Sequence, residues 1–363
     1  MENPVIIIGA GLSGLRAATL LTAQGIECKI LDARDRIGGR VLNAFHPDKP
    51  EMGKFDLGPT WFWPRYEHAI ANLVQELNLE TFDQHTEGAM LFERYENQAP
   101  ERHILPAHSM ERSSRFTGGV QSLIDALYSK LPPEIFDLET RVTTIKLNDQ
   151  NSITISAVLS DGKTKEFIAR AVILALPPRI VARHITFIPA FSPEMNLNLI
   201  NKPTWMAGQA KAIAVYDEPF WRKDGLSGFV SSWVGPLQEI HDASPLTGSG
   251  ALFGFFGMPS KVRHHLGEKQ VLEQVKEQLI RLFGSSAEKV RTILYKDWSV
   301  DSDTAIYEDS IPLQDFPNYG EIPVVGEWKN NIVFAGTETS TEFGGHLEGA
   351  LQSAELAVLK IIN

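Results

Sequence analysis

Apolar residues occur along the chain in two kinds of run. Val5-Ile6-Ile7-Ile8 is a continuous β-branched run, the pattern of a strand buried on both faces. Leu12, Leu15, Ala18 and Leu21 then share one face at helical spacing, with Gly25 as a C-cap. Residues 27–31 give a second strand that ends at Asp32. Ile153–Leu159 and residues 163–169, joined by Asp161-Gly162, read as a hairpin with a tight turn. Residues 171–178 and 332–335 are further apolar strands. Val271, Val275, Leu279 and Leu282 mark an amphipathic helix. The last stretch, Leu347–Ile362, is broken by Glu348, Gln352, Glu355 and Lys360 and reads as an amphipathic helix packed on the body.

Between the first strand and the first helix lies Gly9-Ala10-Gly11-Leu12-Ser13-Gly14. Gly9 permits the tight turn, Gly11 lets backbone approach a pyrophosphate, and Gly14 lets helix and sheet pack closely. The helix N-terminus, with Ser13 in its first turn, faces the phosphate charge. Asp32 stands 18 residues beyond Gly14, where a carboxylate binds ribose hydroxyls. Strand, glycines, helix and acid in register point to a dinucleotide, either NAD or FAD. Ala33-Arg34-Asp35-Arg36-Ile37-Gly38-Gly39-Arg40 follows. Two adjacent glycines flanked by arginines offer a second backbone approach to a phosphate-bearing ligand. Arg40 can make a bidentate phosphate contact and Arg34 can lie near the adenosine.

Composition narrows the class. Of 363 residues 43% are hydrophobic, enough for a large core and a two-domain division. With 34 Lys and Arg against 45 Asp and Glu, the net charge of −11 argues against nucleic-acid binding. No Cys/His spacing suggests a metal, and His264-His265 reads as a solvated pair. Cys28, the sole cysteine, falls in a predicted buried strand, so no intramolecular disulfide forms. The first strand begins too early for a signal peptide, and no apolar run approaches the ~18 residues of a membrane span. A soluble, cytoplasmic protein is the expectation.

From residue 5 to about residue 355 the sequence resembles the flavin amine oxidases, the monoamine oxidases among them. The markers come in order. After residues 31–40 stand Phe55-Asp56-Leu57-Gly58-Pro59-Thr60-Trp61, Phe116-Thr117-Gly118-Gly119, Arg141-Val142-Thr143-Thr144-Ile145 and the Pro-Pro end of residues 171–178. Lys211 precedes Tyr216-Asp217-Glu218-Pro219-Phe220-Trp221, and Asp297-Trp298-Ser299 follows. The series closes with Phe334-Ala335-Gly336-Thr337-Glu338-Thr339-Ser340 and Gly344-Gly345-His346-Leu347-Glu348-Gly349-Ala350. Most members carry Glu where this chain has Asp32.

The resemblance implies an α/β architecture, a Rossmann-like FAD-binding domain with a smaller mixed α+β substrate domain. The FAD domain would be discontinuous, residues 1–80, 112–199 and 301–363, and the substrate domain would take 81–111 and 200–300. It implies FAD contacts from Gly58, Pro59, Thr60 and Trp61 beside the flavin, and from Val142 at the adenine. Trp298 would pack on the ring, Gly336, Thr337 and Glu338 would lie near the ribityl-phosphate part, and His346 and Leu347 would start the helix that faces the pyrimidine end. Lys211, in an otherwise apolar stretch, would hold a water near flavin N5 and assist reaction with oxygen; a lysine reaching solvent along a strand edge is the alternative. Tyr307 aligns, with one gap, with one wall of an aromatic cage that guides a neutral amine. His346 takes the place of the second aromatic wall and adds a titratable group near neutral pH, or serves as a structural histidine. Ile306 stands where some members carry a flavin-linking cysteine, so noncovalent FAD is expected. The segment between residue 81 and Gly118 is short for the family, which implies a more open site.

The activity implied is oxidation of an amine to an imine, hydrolysed to an aldehyde or ketone, with molecular oxygen reduced to hydrogen peroxide. A desaturase or dehydrogenase acting on a non-amine, a nonenzymatic FAD-binding interaction protein and a simple NAD-dependent dehydrogenase remain alternatives. The identity of the amine and the oligomeric state are not legible.

Overall fold

Val5–Ile8 is the central strand of a five-stranded parallel sheet in the computed structural model, which describes residues 3–106, 111–148, 152–311, 313 and 315–362. The strand order is Ile332–Phe334, Ala171–Leu174, Val5–Ile8, Cys28–Leu31, Phe136–Asp137. All four pairings are parallel, with Val5 opposite both Ala171 and Cys28. The unbroken apolar run has its reason here. Val5 and Ile7 point to one core, packed by the helices Leu12–Ala23, Gln121–Ser129 and Leu347–Ile362. Ile6 and Ile8 point to a second core on the opposite face. All four side chains are at most 4% exposed, worth roughly 2 kcal/mol each in apolar burial.

The second core is closed by a four-stranded sheet, ordered Thr164–Ala169, Ile153–Leu159, Thr140–Leu147, Thr186–Ile188. The expected hairpin is its first pair, antiparallel, turning at Gly162 with φ +82°. Gly25, with φ +71°, follows the first helix as its expected left-handed stop.

A seven-stranded sheet is ordered Thr292–Asp297, Ala210–Tyr216, Gly250–Phe256, Leu237–Asp242, Leu226–Ser232, Ala89–Glu93, Glu101–His103, and two short antiparallel pairs, Asn43–Ala44 with Phe55–Asp56 and Thr81–Asp83 with Ser114–Phe116, stand apart from it. Its two faces do different things. Ala210, Ala212, Ala214 and Tyr216 face the helix Glu268–Phe283, which buries Val271, Val275, Leu279 and Leu282 against them. Ile213 and Val215 point the other way, toward Phe55, in the short strand Phe55–Asp56, and Leu57 just after it. The strand's alternation puts Lys211 on this second face, so period two alone aims the lysine at the Gly58 loop. Among the described residues, no helix is long and apolar enough to cross a membrane and no cluster of His, Cys, Asp and Glu could hold a metal.

Candidate active site

One cavity of about 390 Å³ joins the two ends of the sequence signature. It runs from Gly9, Gly11, Ser13 and Asp32, past Gly39 and Arg40, to Gly58, Thr60, Lys211, Trp298 and His346. At the first end two glycine loops lie on each other. Gly38 N–H donates to the Ala10 carbonyl at 2.8 Å, and a Cβ on Gly39 would stand 3.3 Å from Gly11 Cα. Gly14 does not line the cavity. A Cβ there would meet the Gly9 carbonyl oxygen at 1.9 Å, so its glycine is what lets helix and strand touch. Asp32 is buried and bridges the turn, accepting from Ala10 N–H at 2.7 Å and Arg34 N–H at 2.8 Å. Burial pushes its carboxyl up in pKa, and those two amides oppose the shift.

These residues fit a dinucleotide. Ser13 Oγ is buried on the cavity wall and has no hydrogen-bond partner, a donor that a phosphate oxygen at this helix N-terminus would satisfy. The helix Leu12–Ala23 has no side-chain cap, so its first amides are open to the ligand. Ala33 and Val142 line a small adjoining hollow together with Asp32, Arg34 and Asp303.

The two arginines differ from expectation. The Arg40 fork is spent on Glu338, with contacts of 2.6 and 2.9 Å, and Glu338 is fully buried behind the cavity wall. A bidentate phosphate contact by Arg40 is therefore replaced by a bidentate carboxylate contact that ties the second glycine loop to the C-terminal segment. Arg34 lines the cavity, but its guanidinium is held by Asp301 at 2.5 Å and Thr304 at 3.0 Å. Arg36, one of the arginines flanking the two glycines, has a structural part. It donates to the carbonyls of Ile37, Gly39 and Val41 and so holds the glycine loop in shape.

At the far end Lys211 is only 3% exposed. Nζ donates to the Gly58 carbonyl at 2.9 Å and to Thr60 Oγ1 at 2.5 Å, and lies 4.0 Å from the centre of the Phe253 ring. Burial pulls its ammonium well below the ordinary lysine range; Asp56 opposes that and Arg115 adds to it. The same burial pushes the Asp56 carboxyl up, against the pull of Lys211. A lysine reaching solvent is thus ruled out. Gly58, Pro59, Thr60 and Trp61 all line the cavity, and Trp298 is fixed there by Nε1–H donation to the Leu57 carbonyl at 3.1 Å. Gly336, Thr337 and Leu347 line it too, and Thr337 Oγ1 donates to the His346 carbonyl at 2.7 Å.

Tyr307 is the clear correction. It is 76% exposed and does not line the cavity. The cause is Asp309, two residues on. This buried carboxylate accepts from Ile306 N–H at 2.9 Å and pairs with Arg179 at 2.5 Å, which anchors the short 3₁₀ turn Tyr307–Ser310 and turns Tyr307 outward toward Lys261. Asp303 and Thr304 line the cavity instead.

The aromatic wall comes from residues that motif reading missed. Trp63 lines the cavity, its ring centroid 5.7 Å from His346 and 6.3 Å from Trp61. Alternation is the signal that was available. Phe62 bridges to Ser114 and is buried in the first core, so its neighbours Trp61 and Trp63 project the other way. Trp205 and Phe255 complete this wall. Glu67 also lines it, 2% exposed, with Oε1 2.8 Å from His346 Nδ1. No local pattern announces Glu67. Glu348, read as a polar break in the last helix, is 1% exposed and accepts from Ala69 and Ile70 N–H at the start of the helix His68–Glu76.

Comparison with known proteins agrees with this geometry. Residues 88–362 match the family model for flavin containing amine oxidoreductases, and residues 7–77 match an NAD(P)-binding Rossmann-like domain. The chain is 24% identical over 482 aligned positions to the putrescine oxidase of Kocuria rosea, covering 100% of this chain and 95% of that one. It is 23% identical to flavin-containing amine oxidase B of Homo sapiens, covering 99% and 86%. Both alignments are longer than the 363 residues of this chain, so the relatives carry extra segments. In fold it is similar to wild-type putrescine oxidase bound to putrescine, with TM-score 0.79, 21% identity and coverage of 100% and 99%. It is also similar to cyclohexylamine oxidase from Brevibacterium oxydans IH-35A, with TM-score 0.78, 19% identity and coverage of 99% of each chain. The Rossmann-type sheet, the continuous cavity and the family match agree: the chain belongs to the flavin-containing amine oxidoreductases, enzymes that act on amine groups with a flavin cofactor.

Proposed function

We propose that the protein oxidises a neutral amine at its α carbon, holds FAD noncovalently and uses molecular oxygen as the acceptor. The observation that carries this reading is the single cavity that links the dinucleotide fingerprint to Lys211, Trp61, Trp63 and His346. Bound FAD would take up the hydride equivalent from the amine and pass electrons to oxygen, giving hydrogen peroxide, while water hydrolyses the imine to an aldehyde or ketone. The glycine loops and Ser13 would hold its pyrophosphate, Asp32 its ribose, and Ala33 and Val142 its adenine. Gly58–Trp61, Trp298 and Thr337 would border its ring end. Cys28, the sole cysteine, is buried in the strand Cys28–Leu31 away from the cavity, which supports noncovalent binding.

The protein's own part is placement and dryness. Trp61, Trp63, Phe255 and Trp205 make an apolar wall that favours an amine in its uncharged form. Lys211, held by Gly58 and Thr60, offers a buried cationic site beside the ring end, suited to stabilising negative charge that develops on oxygen. Residues 1–80, 112–199 and 301–363 form the FAD domain in this reading, and 81–111 and 200–300 the substrate domain. The relatives named for putrescine and cyclohexylamine make primary alkyl amines the first panel to try.

Anaerobic mixing of the flavin-loaded protein with aromatic monoamines, alkyl monoamines, diamines and polyamines tests the proposal. At least one should bleach the flavin, and air should restore its colour with release of hydrogen peroxide. If no amine bleaches it, the reading is wrong. Bleached flavin that stays bleached in air identifies a dehydrogenase with another acceptor.

A further inference from the structure

His346 and Glu67 form a polar pair on the wall that an amine would meet. Glu67 Oε1 lies 2.8 Å from His346 Nδ1, and Glu67 Oε2 accepts Trp63 N–H at 2.7 Å. Glu67 directly precedes the helix His68–Glu76, yet the open amides of Ala69 and Ile70 are taken by Glu348. One Glu67 oxygen is thus left for the imidazole. A carboxylate buried to this degree needs a donor, so the pair fixes the ring with Nδ1 protonated and donating to Oε1. In the neutral imidazole, Nε2 then carries the lone pair. It has no hydrogen-bond partner among the described residues, and the His346 side chain is 35% exposed on the cavity wall. The Trp63 ring, tilted 32° to the imidazole, holds it from one side.

We propose that Glu67 and His346 are a proton-accepting pair that removes the ammonium proton of the substrate inside the cavity, His346 Nε2 taking the proton and Glu67 positioning the ring. This rests on the amine reading. An alkyl amine has a pKa near that of lysine, about 10, so it arrives mostly as ammonium, whereas oxidation needs the free nitrogen lone pair. The step breaks an N–H bond of the ammonium and forms one at Nε2; Nδ1–H stays on Glu67. Ammonium plus the anionic pair becomes neutral amine plus an imidazolium–carboxylate pair, so the net charge in the low-dielectric cavity does not change. The other charged groups near this wall are already engaged. Lys211 is held by Gly58 and Thr60, Arg40 by Glu338, and Glu348 by the helix amides.

Calorimetry with 2-phenylpropan-2-amine and tert-butylamine, which lack an α hydrogen, tests the pair without turnover. Binding is measured in buffers of different ionisation enthalpy at pH 8. The native protein should release close to no protons, because the pair retains the one the amine gives up. His346→Phe should release about one proton per amine bound. Stopped-flow flavin reduction by any amine that bleaches the native protein gives the second readout. His346→Phe and Glu67→Gln should each lower kred/Kd at pH 7 by about 100-fold with unchanged flavin content. Glutamine donates to Nδ1, which moves the ring proton to Nε2 and abolishes the base. In His346→Phe the acid limb of kred/Kd should move up to the pKa of the amine itself. Release of about one proton by the native protein, or an acid limb unmoved in His346→Phe, overturns the pair while leaving the amine reading intact. A panel in which no amine bleaches the flavin overturns both.

Discussion

The two ends of the cavity are built in different ways. The fingerprint end is made largely of backbone: Gly9, Gly11, Gly38 and Gly39 bring main-chain groups together within forty residues of sequence, and Ser13, Asp32 and Arg34 add side chains from the same short stretch. The far end is made of side chains from segments that are far apart, Trp61 and Trp63, Glu67, Lys211, Trp298 and His346. A backbone site depends on the absence of side chains and tolerates almost no addition. A side-chain site tolerates substitution in the fold and loses chemistry instead. The substitutions below separate those two behaviours, from the largest effect to the smallest.

Gly14→Val should abolish flavin binding. Its Cβ would stand 1.9 Å from the Gly9 carbonyl oxygen, a main-chain atom that cannot swing aside. The flavin-to-protein absorbance ratio after gel filtration measures this; a normal ratio would mean the helix can retreat from the strand, and the backbone account of this end would be lost.

Lys211→Met should leave that ratio near normal and slow reoxidation of the reduced flavin by roughly 100-fold, the scale of removing one preorganised electrostatic group. The buried lysine amine that donates to Gly58 and Thr60 is replaced by a chain of similar length with neither charge nor donor. Stopped-flow mixing with oxygen reports the rate. An unchanged rate removes Lys211 from oxygen chemistry, whereas loss of flavin as well would make the far end as structural as the first.

Glu348→Gln should lower the unfolding free energy by about 2 kcal/mol, because a carboxylate that accepts two amides is replaced by a group with one acceptor and one donor. Thermal unfolding of the flavin-loaded protein gives the value. This residue shows why the sequence was uneven as a guide. Elements were legible wherever period and chain neighbours agree, as in Val5–Ile8, the Gly162 hairpin and the face of Glu268–Phe283. Lys211 was legible as an oddity in an apolar strand. Glu348 looked like a solvated helix position, because its partners at Ala69 and Ile70 lie some 280 residues away and no periodicity encodes them. Glu67 was hidden for the same reason. Arg40 lines the cavity, as the local glycine loop suggests, but the carboxylate that holds its guanidinium comes from the other end of the chain and no local pattern announces it.

Tyr307 gives the smallest effect and the most direct test of where the aromatic wall lies. Motif order with one gap assigns it to the substrate cage, but order fixes only the path of the chain, and the turn at Tyr307–Ser310 is set by the buried Asp309. With the ring 76% exposed and outside the cavity, Tyr307→Ala should change kcat/KM for any oxidised amine by less than about two-fold, the range of an ordinary surface substitution. Trp63→Ala removes a ring that lines the cavity and supports His346, and should cost considerably more in the same assay. If the ranking came out reversed, the segment around Tyr307 would have to fold inward when an amine binds, and Tyr307 would join the substrate wall after all.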